Sequence, residues 1–145
     1  MKYQAFPLLT ISFIIFAALT FIKVSNADGV IWHEAEIIAL PLYSGRDWMV
    51  SGGDIFNFFS MGLLFVELVR ATGSDQMAIG NHLLSFMLFI VVLLFFILAP
   101  GFGNSTYFFF LLMALLDPMV GMVVSQATGK RDVHIGADGK KALLG

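Results

Sequence analysis

The sequence predicts an all-α membrane protein, with four transmembrane helices and one short extracytoplasmic hairpin-like loop. Three observations predict it. Of 145 residues, 59% are apolar and 12% charged, where soluble domains run at about 45–50% and about 25%. The charges gather at the N-terminus, between residues 23 and 54, between 67 and 75, and after 129. Among and between these groups lie four apolar runs of roughly the 17–25 residues that carry a helix across the hydrocarbon of a bilayer.

The first run is Phe6–Ile22. The second, Gly53–Arg70, is less pure; Ser51 or Asp54 is suited to cap its start and Thr72-Gly73 to close it. The third, Leu83–Ala99, is opened by Ser74 or Asp75 and ended by Pro100-Gly101. The fourth, Thr106–Val124, has Asn104 or Ser105 as its cap and Gly129 as its stop. So short a link between the third and fourth makes them antiparallel neighbours. Residues 1–129 therefore form one membrane domain, and 130–145 a polar, Gly-rich cytoplasmic tail.

Lysine and arginine orient the chain. With the N-terminus inside, the inner segments hold Lys2, Arg70, Lys130, Arg131, Lys140 and Lys141, and the outer segments hold Lys23 and Arg46. The positive-inside rule favours this arrangement, with both termini in the cytoplasm of a bacterial-type inner membrane. A rival reading takes Lys2, the first apolar run and Ser25-Asn26-Ala27 as a cleaved signal peptide. The length of the run and Lys23 beside the cut favour a retained helix.

Residues 25–52 are the one extramembrane segment long enough to hold structure. Apolar stretches Ile37–Tyr43 and Trp48–Val50 flank Ser44-Gly45-Arg46-Asp47, the pattern of a hairpin lying over the outer helix ends. Pro41 confines its strand to an edge. Trp32, Tyr43 and Trp48 suit the headgroup zone, and together they make a candidate docking surface for a partner subunit.

The order Pro41-Leu42-x-Ser44-Gly45, Trp48, Gly53-Asp54, Glu67-Leu68-Val69-Arg70-Ala71-Thr72, Ser105-Thr106-x-Phe108-Phe109, Leu115-Leu116-Asp117 and Arg131-Asp132 resembles a family of small four-helix bacterial inner-membrane proteins without an assigned activity. The similarity runs from about residue 37 to about 136. It implies four-helix architecture and an inner-membrane location, and it assigns no functional residue.

Ionisable groups inside a span are costly and mark candidate sites. At 1.5 Å of rise per residue, Glu67 lies roughly 6–8 Å inside the cytoplasmic boundary and Asp117 roughly 16 Å deep. His82, at the depth of Glu67 in the next helix, is a candidate partner for it; Arg70, on the same helix face, is another. Asp117, Glu67, His82 and Asn57 form the candidate intramembrane polar site. Ala114, Gly121 and Ser125 share one face of the fourth helix with Asp117, a small-residue face suited to close helix packing. Asn57 and Ser60 on the second helix, and Asn81 and Ser85 on the third, make similar stripes.

Other chemistries fail on residue type or spacing. Without cysteine there are no disulfides, thiolate nucleophiles or thiolate metal ligands. A net charge of −2 gives no basic face for nucleic acid. Gly52-Gly53-Asp54 has Ser51 where the Gly-x-Gly-Asp of intramembrane aspartyl proteases needs glycine, and Asp117 lies too far away to complete a dyad. Gly101-Phe102-Gly103 lacks the third glycine and preceding strand of a dinucleotide loop. His33, His82 and His134 fall on different sides or depths. No catalytic, metal or cofactor-binding residue is therefore expected. The expected partners are the lipid bilayer and other membrane subunits or copies of the chain. The expected role is a non-catalytic accessory or scaffold subunit, with a small proton- or ion-conducting oligomer as the alternative.

Overall fold

The computed structural model describes residues 6–71 and 78–123, the side chains of 71–82 excepted. It is mostly helical. Its elements in chain order are α1 (Leu9–Phe21), β1 (Glu36–Pro41), β2 (Asp47–Ser51), α2 (Gly52–Ala71), α3 (Ala78–Leu98) and α4 (Ser105–Val123). Two helical stretches, Gly52–Arg70 and Ser105–Val123, are long and apolar enough to cross a membrane. Two are shorter: α1, and the apolar part of α3 from Leu83 to Leu98.

α1 stops at Lys23, not at a glycine. Lys23 adopts φ 56°, the left-handed region. Val24 N–H reaches back to Leu19 O at 3.1 Å and Lys23 N–H to Thr20 O at 3.1 Å. This is the paired closure of a Schellman motif, with a cation at the negative end of the helix. Leu19 and Val24, the apolar pair that accompanies such a motif, both pack against the core.

The loop that follows folds tightly. The Asn26 side chain accepts the N–H groups of Asp28 and Val30 at 3.0 and 2.9 Å. Trp32 N–H bonds to Val24 O at 3.0 Å. This closure carries Trp32 and His33 inward. The expectation that Trp32 sits in the headgroup zone as part of a docking surface is corrected here: Trp32 is 8% exposed and packs in the core.

β1 and β2 pair antiparallel, from Glu36↔Ser51 to Pro41↔Asp47, with an irregularity between Glu36 and Ile38. The turn is tight because Leu42 N–H bonds to Arg46 O at 2.9 Å and Gly45 N–H to Leu42 O at 3.0 Å. Gly45 takes φ 79°, the left-handed position that a three-residue hairpin loop requires. The hairpin does not lie over the helix ends. Every residue from Glu36 to Met49 is exposed.

β2 runs into α2 without a linker. Ser51 and Asp54 form a capping box: Asp54 Oδ2 accepts from Ser51 N–H and hydroxyl at 2.9 and 2.8 Å, and Ser51 Oγ accepts Asp54 N–H at 3.2 Å. Asn104 caps α4, its Oδ1 taking Tyr107 N–H at 2.9 Å. The stop residues expected at Thr72-Gly73 and Gly129, and the openers Ser74 and Asp75, lie outside the described residues.

The core is aromatic. Phe16 of α1 is fully buried. Its ring lies 4.8 Å from Tyr107, 5.1 Å from Trp32, 5.2 Å from Phe56 and 5.6 Å from Phe102. Tyr107 donates its hydroxyl to Val92 O at 3.1 Å, tying α4 to α3. Phe13 meets Phe95 edge-on at 5.1 Å, tying α1 to α3. Edge-on and tilted ring pairs of this kind add about 0.5–1.5 kcal/mol each beyond simple burial. α1 is thus part of the core around which the other helices pack.

Candidate functional site

Glu67, near the end of α2, is buried, and it reaches past the neighbouring Arg70 to the start of α1. Its Oε2 accepts Leu8 N–H at 3.0 Å, and Leu9 N–H bonds to the same carboxyl group. These amides belong to the first turn of α1, where backbone donors have no acceptor within their own helix. A carboxylate there satisfies them and complements the positive end of the helix dipole. α1 has no side-chain cap of its own, so α2 provides the acceptor. Residues 1–8 hold no Ser, Thr, Asp or Asn to cap this helix, and the distant Glu67 supplies the acceptor instead.

Asp117 is buried on α4 and close enough to Glu67 for the two carboxyl groups to interact electrostatically, as Arg70 also does. A level for Asp117 follows from the end of the bundle that carries the hairpin. Gly53 abuts Thr106, because a Cβ on Gly53 would collide with the Thr106 side chain and with His33 O. Glu67 is fourteen residues along α2 from Gly53, and Asp117 eleven along α4 from Thr106. At 1.5 Å of rise per residue, Asp117 then lies about one turn nearer the hairpin end than Glu67, about 4–5 Å along the axis. Pro118, fully buried beside Asp117, has no N–H to give the Ala114 carbonyl. The helix therefore carries a backbone acceptor without its usual donor next to this carboxyl.

Asn57 does not join them. It lies ten residues, about 15 Å, toward the hairpin end of α2 from Glu67. Its Oδ1 is buried with no hydrogen-bond partner among the described residues. The His82 side chain and Ser125 lie outside the described residues. Ala114, Asp117 and Gly121 are all buried on α4. Of the residues read as a docking surface, Tyr43 and Trp48 are exposed on the hairpin and Trp32 is not.

Two features escaped the sequence reading. His33, assigned there only to the outer side, is buried, its ring stacked 6.3 Å from Phe16 and edge-on 5.5 Å from Trp32. Burial pushes its imidazole below the ordinary range, against an opposing pull from Glu34. Gly52 and Gly53 carry a packing role, with their N–H groups bonded to Ala35 O and His33 O, both at 3.0 Å. A Cβ on Gly52 would strike Trp32 O. The doubled glycine was the signal, since close backbone approach is a use only glycine serves.

Among the described residues no group of three or more His, Cys, Asp or Glu comes together as a metal site. Set against known proteins, the chain matches no family model, no curated protein and no solved structure.

Proposed function

We propose that this chain is a four-span protein of a bacterial-type inner membrane, with both termini cytoplasmic, serving as a non-catalytic accessory or scaffold subunit. It would assemble with other membrane subunits or copies of itself through the hairpin. One contrast carries the reading: the hairpin presents Leu40, Tyr43, Trp48 and Met49 exposed, while key polar groups of the bundle are engaged in holding helices. Glu67 bonds the start of α1 and Tyr107 bonds α3. Membrane location draws support from the outward side chains of α2. Phe58 is 81% exposed, and Phe59, Phe65 and Val69 are exposed too, a surface suited to lipid rather than water. The 13-residue α1 is about 20 Å long. Its span needs the flanking Phe6, Pro7 and Ile22, or local thinning of the bilayer. The resemblance to small four-helix inner-membrane proteins points the same way.

Purification in mild detergent after brief crosslinking tests the role. A defined partner, or a defined multiple of the chain, is expected. A lone monomer that turns over a substrate overturns it. A reporter fused after residue 145 and one inserted near Ser44 should report opposite sides; the same side for both defeats the topology.

One observation favours a second reading, proton or ion conduction by an oligomer: Glu67 and Asp117, from different helices, interact within the buried interior. Liposomes carrying wild type and Asp117→Asn distinguish it. Conduction requires a proton leak in the wild type that the variant lacks.

A further inference from the structure

The two edges of the hairpin are not equivalent. Leu42 and Arg46 are a hydrogen-bonded pair, since Leu42 N–H donates to Arg46 O. Bonded and non-bonded pairs alternate along an antiparallel ladder. With Leu40 opposite Trp48 and Ile38 opposite Val50, those two pairs are also bonded across the hairpin. The backbone groups of Ala39 and Pro41 on β1, and of Asp47 and Met49 on β2, therefore point outward.

On β1, Pro41 has no N–H, and the register breaks between Glu36 and Ile38. On β2, Asp47 and Met49 both offer N–H and C=O, and the edge ends at Ser51, whose N–H is taken by Asp54. β1 is thus a blunted edge and β2 an open one.

The open edge is complementary to itself. Two β2 strands placed antiparallel about Trp48 set Asp47 opposite the partner's Met49, and Met49 opposite the partner's Asp47. Both are bonded pairs, and they use every outward donor of both strands. Trp48 then faces the partner's Trp48 in a non-bonded pair, where side chains approach most closely. Arg46 faces the partner's Val50, and no like charges oppose each other. Trp48 shares its face with Ile38, Leu40, Leu42 and Val50. Ile38, Leu40, Leu42 and Trp48 are exposed on the single chain, and Val50 is partly so. Two hairpins joined this way make a four-stranded sheet with one face that is apolar apart from Arg46 of each copy. A lone two-stranded hairpin is marginal in water, and three or more strands are needed for independent stability.

We propose that two copies of this chain pair through their β2 edges, with Trp48 at the two-fold axis. This rests on the reading of the hairpin as the assembly surface. The chain has no cysteine, so Trp48→Cys introduces a single thiol. A non-bonded antiparallel pair holds its Cα atoms about 4.5 Å apart, inside disulfide range. The full chain, in nanodiscs or mild detergent, is oxidised with copper phenanthroline and run without reductant. Trp48→Cys should give mostly dimer, and Ala39→Cys, on the blunted edge, at least fivefold less. Trp48→Cys combined with Met49→Pro should lose the crosslink. The Met49 N–H points away from β1, so that proline leaves the hairpin's own ladder intact. Native mass should show a dimer for the wild type and a monomer for Met49→Pro, which covers any loss caused by removing Trp48 itself.

Equal crosslinking at Ala39, a crosslink that survives Met49→Pro, or a monomeric wild type each overturns self-pairing. If the wild type is monomeric but holds a heterologous subunit that Met49→Pro releases, the edge belongs to another protein and the assembly reading stands. If the monomer's Trp48 is instead quenched by bilayer-embedded probes and nothing is released by Met49→Pro, the hairpin is a lipid anchor and both readings fail.

Discussion

The aromatic core around Phe16 and the hairpin between Glu36 and Ser51 are built from similar residues and meet opposite fates. Phe16, Trp32, Phe56, Phe102 and Tyr107 are buried, whereas Leu40, Tyr43, Trp48 and Met49 of the hairpin stay exposed. Side-chain chemistry does not separate the two sets. What separates them is convergence. Three helices and two loops deliver rings to one point around Phe16, while among the described residues no element folds over either face of the hairpin. The core is where the fold stores its stability, and the hairpin is where it leaves surface uncovered.

The sharpest way to break that contrast is to truncate one ring from each region. Phe16→Ala removes the ring on which Trp32, Phe56, Phe102 and Tyr107 converge, and should cost about 3–5 kcal/mol. Tyr43→Ala, at the hairpin tip, should change bundle stability by no more than about 0.5 kcal/mol. Unfolding in detergent, followed by circular dichroism, measures both. Equal losses would mean that the hairpin packs on the helices after all.

A second pair tests the close approach at the junction of hairpin and core. Gly53→Ala pushes a methyl group into the Thr106 side chain and His33 O, and should destabilise by about 1–3 kcal/mol. Gly62→Ala, nine residues on in the same helix, meets open space and should stabilise by roughly 0.5–1 kcal/mol through helix propensity. Opposite signs for one substitution in one helix leave propensity unable to explain both.

These positions also mark how far the sequence could be read. Hydropathy located the helices within a few residues, because each apolar run reports its own segment. Ser51 with Asp54, Asn104, and a turn at Ser44-Gly45 were legible for the same reason, caps and turns being local chemistry, although the loop covers Tyr43 to Gly45 and Asp47, expected in the turn, opens β2. Long-range partners were not. Trp32 and Trp48 carry the same signal, an aromatic residue in an outer loop, and only the closure of residues 24–32 sends one inward. Glu67 had Arg70 one turn away and His82 at matched depth, yet it bonds α1, some 59 positions distant in the chain. The depths of Glu67 and Asp117 followed from helix rise, but their meeting depends on how α2 and α4 pack. The stop of α1 at Lys23 was invisible, since lysine rarely takes a left-handed conformation.

The Glu67 cap gives a third, smaller test. Glu67→Leu leaves two buried α1 amides without an acceptor and should cost about 1–3 kcal/mol. Glu67→Gln keeps one acceptor oxygen and should recover part of the loss. Hydrogen exchange at Leu8 and Leu9 is the specific readout. It should quicken in both variants, more in Leu, while amides in the middle of α4 change only with global stability. Unchanged exchange at Leu8 and Leu9 would remove Glu67 from the start of α1.

The smallest effect expected is a pH dependence from His33, where the core meets the outer loop. Its imidazole sits below the ordinary range because it is buried, with Glu34 pulling the other way. As pH falls through about 6.5, the unfolded chain takes up a proton on this histidine first, while the folded chain still resists it. The folded state therefore binds fewer protons in that window, and acid destabilises it. The contribution is fully present above the ordinary imidazole pKa. It declines as pH drops and levels off once the folded imidazole is protonated too. A single group limits the slope to about 1.4 kcal/mol per pH unit. His33→Phe isolates it, because phenylalanine keeps a ring against Phe16 and cannot titrate. The stability difference between wild type and variant should be flat above pH 7 and shift against the wild type as pH falls below about 6.5. A difference that stays flat across that range would mean His33 is solvated in the folded protein, and the aromatic core would then end at Trp32 rather than enclose the start of the hairpin segment.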